Sequence, residues 1–372
     1  MGVDAKTMGQ RIVEARGRAE LTQTQLATAV QLDRTALAKI EAGHRRVSAL
    51  ELARLADALD MRIEWFVQDA PPAIVSRRNA QEPGAVNPRI DSMAERIARE
   101  VEFVVQHDDK LILSSVPVQT MPETAAQAEM LAAIARDLIG LSDDGPCTHL
   151  DTKVVERGLL VFSLDLGVES ADAATVLLRS GGIALINGGL RVGRRRLALA
   201  HELGHYLVAD DYTVDWRVAE YQDTEYRESV LDRFARALLL PEKGLRADWT
   251  KYTSGDDGSN RTAAVRIASS YRVDMATLAR RLVELGIVGQ PDATQIRSIR
   301  TSRADIVELD LVVGEELTPP ALPREYERAV LRLFRGESIS SARALDLLLD
   351  TWTEEMLPDL PTRSEDEIWQ YI

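Results

Sequence analysis

The chain has 372 residues, 45% hydrophobic and 28% charged, an ordinary globular composition whose length calls for two or three domains. No stretch approaches about 18 uninterrupted apolar residues, which excludes a spanning helix, and the single cysteine, Cys147, excludes an internal disulfide and a metal site built of thiolates alone. The formal charge of −14 argues against non-specific nucleic-acid binding by the whole chain.

Charge is unevenly placed. Residues 1–67 carry ten Lys/Arg against nine Asp/Glu, so the acidic excess lies beyond them and any DNA contact must come from a local patch here. The opening "MGVDAKTMGQ" lacks the basic-then-apolar layout of a secretory signal. With the lone cysteine, this gives a cytoplasmic expectation.

Residues 6–67 read as five short helices. Thr22 with Gln25 and Ser48 with Glu51 fit capping boxes. Asp33 suits an N-cap, with Gly43 just past the end of that helix. Ala27, Val30, Leu37 and Ile40 would pack the second helix on the third. Arg34, Thr35 and Lys39 then project outward from the third helix, placed to reach base edges. Gln23, Arg45 and Arg46 suit phosphate contacts. The alternative is a small bundle whose charges are simply solvated. The stretch from "GQRIVEARGRAELTQTQLATAV" to "LARLADALDMRIEWFV" resembles an Xre-type, phage-repressor-like helix-turn-helix domain. That resemblance implies a homodimer bound to an inverted-repeat operator in double-stranded DNA.

"DAPPAIVSRRNAQEPGAVNPRI" holds four prolines and no periodic apolar pattern, so residues 69–90 read as a linker between a DNA-binding domain (1–68) and the rest of the chain. Helices are expected near 91–107 and 122–140. "GLLVFSLDL", "AATVLLRSG" and "GIALINGG" look like three strands. Arg194–Ala209 and Glu225–Leu240 read as helices, the second stopped by Pro241. Two more helices fall near 260–285, and a last helical pair lies in 322–352. The expected fold class is mainly α with a small β-sheet (α+β), with a catalytic-type domain at 91–290 and a helical C-terminal extension at 291–372.

The chemistry concentrates in "LALAHELGHYLV". His201 and His205 stand four residues apart on one helical face and can point at one cation, and Glu202, about 100° round the helix, can act on a water held there. The rival reading is an amphipathic helix whose histidines make unrelated contacts. A buried, unpaired Glu202 would then be costly. The third ligand is read as Glu228, 23 residues beyond His205, with Asp232 one turn on to orient a histidine. Glu220, Asp223 and Glu225 compete for that place. Tyr206, Tyr212 and Arg227 are candidates to stabilise an oxyanion by position only.

HExxH followed by ExxxD resembles the gluzincin arrangement of zinc metalloproteases. The wider pattern, "GLLVFSLDL…GIALIN…RRRLALAHELGHYLV…ESVLDRFARALLLP", is similar to the ImmA/IrrE family of bacterial metallopeptidases. Leu231 and Asp232 replace that family's usual Ala-Asn, and Leu240 its Met. The resemblance implies a zinc ion (or Mn2+) on His201, His205 and Glu228, Glu202 as general base, and a repressor-type protein or a toxin as substrate or partner, in stress, phage or toxin-antitoxin control. Two alternatives stay open. The chain is a DNA-binding regulator or antitoxin whose metallopeptidase-like domain binds metal or a partner without cleaving, or a plain protease whose N-terminal bundle docks substrate.

Overall fold

The computed structural model describes residues 4–19, 21–59, 63–67, 74–78, 88–167, 170–208, 221–254, 259–311 and 314–360. The first segment forms α1 (Ala5–Arg18), α2 (Gln23–Ala29), α3 (Arg34–Glu41), α4 (Ala49–Ala58) and α5 (Ile63–Val67). The starts of α1 to α4 follow from polar side chains that satisfy otherwise unpaired backbone N–H groups. Thr22 and Gln25 cap α2 reciprocally, Ser48 and Glu51 do so for α4, and Asp33 accepts the Ala36 N–H at 2.7 Å to begin α3. Ala27, Val30, Leu37 and Ile40 are buried in one core with Ile12, Leu26, Leu55 and Phe66.

The rest contains, in order, β1 (Ile74–Arg78), α6 (Pro88–His107), α7 (Ala125–Leu138), α8 (Leu150–Val155), β2 (Leu159–Leu164), β3 (Ala173–Leu177) and β4 (Gly182–Asn187). Then come α9 (Val192–Leu207), α10 (Tyr221–Leu239), α11 (Glu242–Thr253), α12 (Asn260–Tyr271) and α13 (Met275–Glu284). The last are α14 (Gln290–Ser298), α15 (Arg303–Glu308), α16 (Arg324–Arg335) and α17 (Ser341–Leu347). The helices α8, α11, α14 and α15 add to the expected elements.

The three expected strands form the body of the sheet, with β2 parallel to β4 and β3 antiparallel to it. A fourth, β1, arises inside the proline-rich stretch expected to be linker, and pairs antiparallel on the outer edge of β3, giving the order β1-β3-β4-β2. Its five residues carry no local signal, because the pairing partner lies about a hundred positions away.

Alternation divides the sheet's side chains between two faces. Leu159, Val161, Ala173, Ala184 and Ile186 join a core with α9, α10 and α7. Leu160, Phe162, Ala174, Val176, Ile183 and Leu185 join a second core with α6, α16 and α17. Burial on both faces explains why these strands read as continuous apolar runs. The expected C-terminal extension therefore closes the sheet's second face: Tyr326 meets Phe162 edge-on at 5.4 Å and donates its hydroxyl to the Leu347 carbonyl at 2.9 Å.

Two details fix the orientation of α9. At its N-terminal half, fully buried Arg196 pairs with Glu316 and donates to the Cys147 carbonyl at 2.6 Å, while Glu316 also accepts the Leu150 N–H that begins α8. Near its end sits Gly204, where an added Cβ would stand 2.9 Å from the Phe234 ring. The missing side chain lets α10 pack close against α9. No helix among the described residues is long and apolar enough to cross a membrane.

Candidate metal centre and nucleic-acid interface

Helical spacing puts His201 and His205 one turn apart on α9, and the close approach at Gly204 brings Glu228 of α10 over them. The Nε2 atoms of the two imidazoles lie 3.0 Å apart. The Glu228 carboxylate reaches both, with Oε2 at 3.0 Å from His201 Nε2 and Oε1 at 3.4 Å from His205 Nε2. All three donor atoms fall within 4.8 Å of one another, the one such cluster among the described residues. Both histidines are buried and Glu228 is half-buried.

Asp232 Oδ1 stands 3.0 Å from His201 Nδ1. At that distance the Asp232 carboxylate can favour a proton on Nδ1, which leaves the Nε2 lone pair for the cluster. Two facing imidazole nitrogens and a carboxylate offer more lone pairs than one shared proton can satisfy. A divalent cation can satisfy all three. Burial would raise the Glu228 carboxyl, but positive charge on His205 and hydrogen bonds from both histidines outweigh it and hold the group well below the usual carboxylate range.

Glu202, fully buried, points to the other side of the turn, toward the sheet. Its Oε2 accepts a hydrogen bond from Thr175 Oγ1 on β3 at 2.7 Å. Sequence reasoning missed Thr175. The signal was present in the alternation: Ala173 and Thr175 share the face toward α9, and Thr175 is the polar member.

The structure brings His201, His205, Glu228 and Asp232 together, with Glu202 next to His201 on α9 and turned to β3. Of the rival ligands, Glu220 lies outside the described residues, and Asp223 and Glu225 belong to the first turns of α10, upstream of Glu228. Tyr206 is turned away from an oxyanion role. Its hydroxyl donates to the Arg157 carbonyl at 2.9 Å, and burial pushes its pKa up to about 12. Tyr212 lies outside the described residues.

On the N-terminal domain, Arg34, Thr35, Lys39 and Arg46 are exposed. The other two predicted DNA-facing residues are partly buried and paired within the domain. Gln23 donates to Glu41 at 2.6 Å, and Arg45 pairs with Glu51 at 2.7 Å. Glu41 also binds Arg16 at 2.7 Å, a contact across 25 residues that no local pattern reveals.

The Helix-turn-helix family model matches residues 12–66, and that of the IrrE N-terminal-like domain, in peptidase family M78, matches residues 155–283, spanning the strands, α9 and α10. The chain thus carries an Xre-type helix-turn-helix module at residues 12–66 and an IrrE/ImmA-like module at residues 155–283. No curated protein matches the chain. Among solved structures, it is similar to the restriction-modification controller protein C.AhdI from Aeromonas hydrophila, at 35% identity over 17% of this chain and 94% of that one, with a TM-score of 0.17. ComR from Streptococcus suis aligns with 94% of this chain and 95% of its own, at 13% identity and a TM-score of 0.17. The chain is a DNA-binding-type regulator carrying a peptidase-type domain.

Proposed function

We propose that the chain is a transcription regulator whose second domain is a zinc-dependent endopeptidase acting on a repressor-type protein. The observation that carries this reading is the convergence of His201, His205 and Glu228 beside a buried Glu202 anchored by Thr175.

His201, His205 and Glu228 would hold the cation, and Asp232 would fix the His201 ring. A zinc ion bound there supplies Lewis acidity toward a carbonyl and toward water; manganese is the other candidate. Glu202 acts as general base and then general acid. It takes a proton from the attacking water and returns it to the leaving amine as the amide C–N bond breaks. Thr175 holds the carboxylate in place for both transfers.

Arg34, Thr35 and Lys39 would read an inverted-repeat operator as a homodimer, with Arg46 on phosphate. Gln23 and Arg45 would add phosphate contacts beside their present carboxylate partners. Joining the two modules suits control of stress, phage or toxin-antitoxin genes, with a partner repressor or toxin as the protein target.

The test compares wild type with Glu202→Gln for cleavage of helix-turn-helix repressors in zinc or manganese. Cleavage by wild type alone is expected. Equal activity in the two would sink the peptidase assignment, and no cleavage by either would favour a regulator or antitoxin that uses the domain for binding only.

A further inference from the structure

The sheet edge beside Glu202 is already filled by the chain itself. Thr175 ties β3 to Glu202, so β3 is the strand next to the proposed base. Its inner edge is hydrogen-bonded to β4 along Ala173–Leu177. Its outer edge is therefore the remaining place where an extended polypeptide can add as a strand within reach of Glu202, by main-chain pairing. That outer edge is taken by β1. Arg78 pairs with Ala173, Arg77 with Ala174, Ser76 with Thr175 itself, and Ile74 with Val176 across a register shift. β1 also lies against α9.

We propose that residues 74–78 are a built-in occupant of the peptide-docking edge, a strand from the segment joining the two domains that an incoming polypeptide must displace. The proposal rests on the reading of this centre as a peptidase, for it is that reading that makes the edge a substrate site. One set of outward N–H and C=O groups cannot serve two strands. A tethered competitor acts at an effective concentration on the order of millimolar, enough to shut out a weakly binding protein. Release of the segment then becomes the event that opens the centre, and the segment leads directly to the DNA-binding domain. An occupant of this kind keeps a peptidase from indiscriminate cleavage.

The probe is a labelled peptide copying residues 73–80, AIVSRRNA, titrated into the full chain carrying Glu202→Gln, which leaves the probe intact. Adding Ser76→Pro removes one main-chain donor from β1 and disfavours its pairing. Binding should tighten about tenfold or more once the tethered competitor is weakened. Equal affinity in the two chains, or no binding to either, overturns the proposal.

Hydrogen exchange on the wild-type chain covers the case in which the proline variant misfolds. Excess unlabelled peptide should speed exchange at residues 74–78 while β3 stays protected. Unchanged exchange at 74–78 under excess peptide contradicts displacement. Because binding is read instead of turnover, a chain that cuts nothing still reports on the edge, and repressor cleavage by wild type against Glu202→Gln judges the peptidase separately.

Discussion

Thr175 Oγ1 donates to Glu202 Oε2 at 2.7 Å, joining strand β3 to the HELGH helix through a fully buried carboxylate. Thr175→Val keeps the shape of the side chain and deletes that donor. A hydrogen bond to a charged group contributes about 1.5–3 kcal/mol, so kcat on a cleaved repressor should fall roughly 10- to 100-fold, with Thr175→Ser restoring most of it. Loss of activity in Thr175→Ser as complete as in Thr175→Val would show that the hydroxyl is not the relevant group.

Asp232 touches His201 Nδ1 but is not itself among the three clustered donors. Removing such an orienting partner typically costs about 10- to 100-fold in metal affinity. Asp232→Asn should therefore weaken zinc binding by that factor while leaving one site per chain, measured by competition with a chromophoric chelator. An undiminished affinity would separate Asp232 from the centre.

Gly204 is where α9 and α10 come closest. An alanine methyl there meets the Phe234 ring at 2.9 Å and Leu231 at 3.2 Å, so α10 or Phe234 has to give way. Relief of glycine's backbone entropy offsets about 0.5–1 kcal/mol against an overpacking cost of about 1–3 kcal/mol. The net expectation for Gly204→Ala is a lower Tm and weaker metal binding together, since Glu228 rides on the displaced helix. A more stable variant with intact metal affinity would refute the packing role.

Arg332 of α16 forks onto Asp108, which directly succeeds α6, tying the C-terminal helices to the rest of the second core. Hydrogen bonding and charge from Arg332 hold the Asp108 carboxyl below its ordinary value against the opposing effect of burial. For a lowered carboxylate pKa, the stabilisation is present above the unfolded value and fades as pH falls through the folded one. Arg332→Gln should thus lower Tm at neutral pH, and the gap from wild type should shrink as the pH drops below about 4. A gap that is constant across that range would remove the ion pair as its cause.

Arg34 is exposed at the head of α3, where a residue can reach a base edge. A gel shift on the chain's own promoter should show preference for an inverted repeat, and Arg34→Ala should weaken specific binding by about 1–3 kcal/mol. Lack of sequence preference, or unchanged affinity in the variant, would end the operator reading.

Features written locally were legible in the sequence. The capping pairs Thr22/Gln25 and Ser48/Glu51 announce helix starts within four residues, and the i,i+4 spacing of His201 and His205 makes a shared cation geometrically natural. Glu228 and Asp232 could be read because they repeat that spacing on the next long helix. Contacts made across the chain were hidden. The Gln23–Glu41 bond, the Thr175–Glu202 bond and the Glu316 hub each join residues at least 18 positions apart. The strand at 74–78 was masked by the prolines around it, since its order comes wholly from the exposed edge of β3. The C-terminal helices were visible as helices, but only the fold reveals that they complete the sheet's second core.

The most direct test of the metal centre is metal analysis of the purified full chain beside His201→Ala. Wild type should carry close to one equivalent of zinc or manganese, removable by chelator and restored on dialysis, and the variant should carry almost none. A wild-type chain that binds no divalent metal, or a variant that binds as much as wild type, would contradict the assignment of His201, His205 and Glu228.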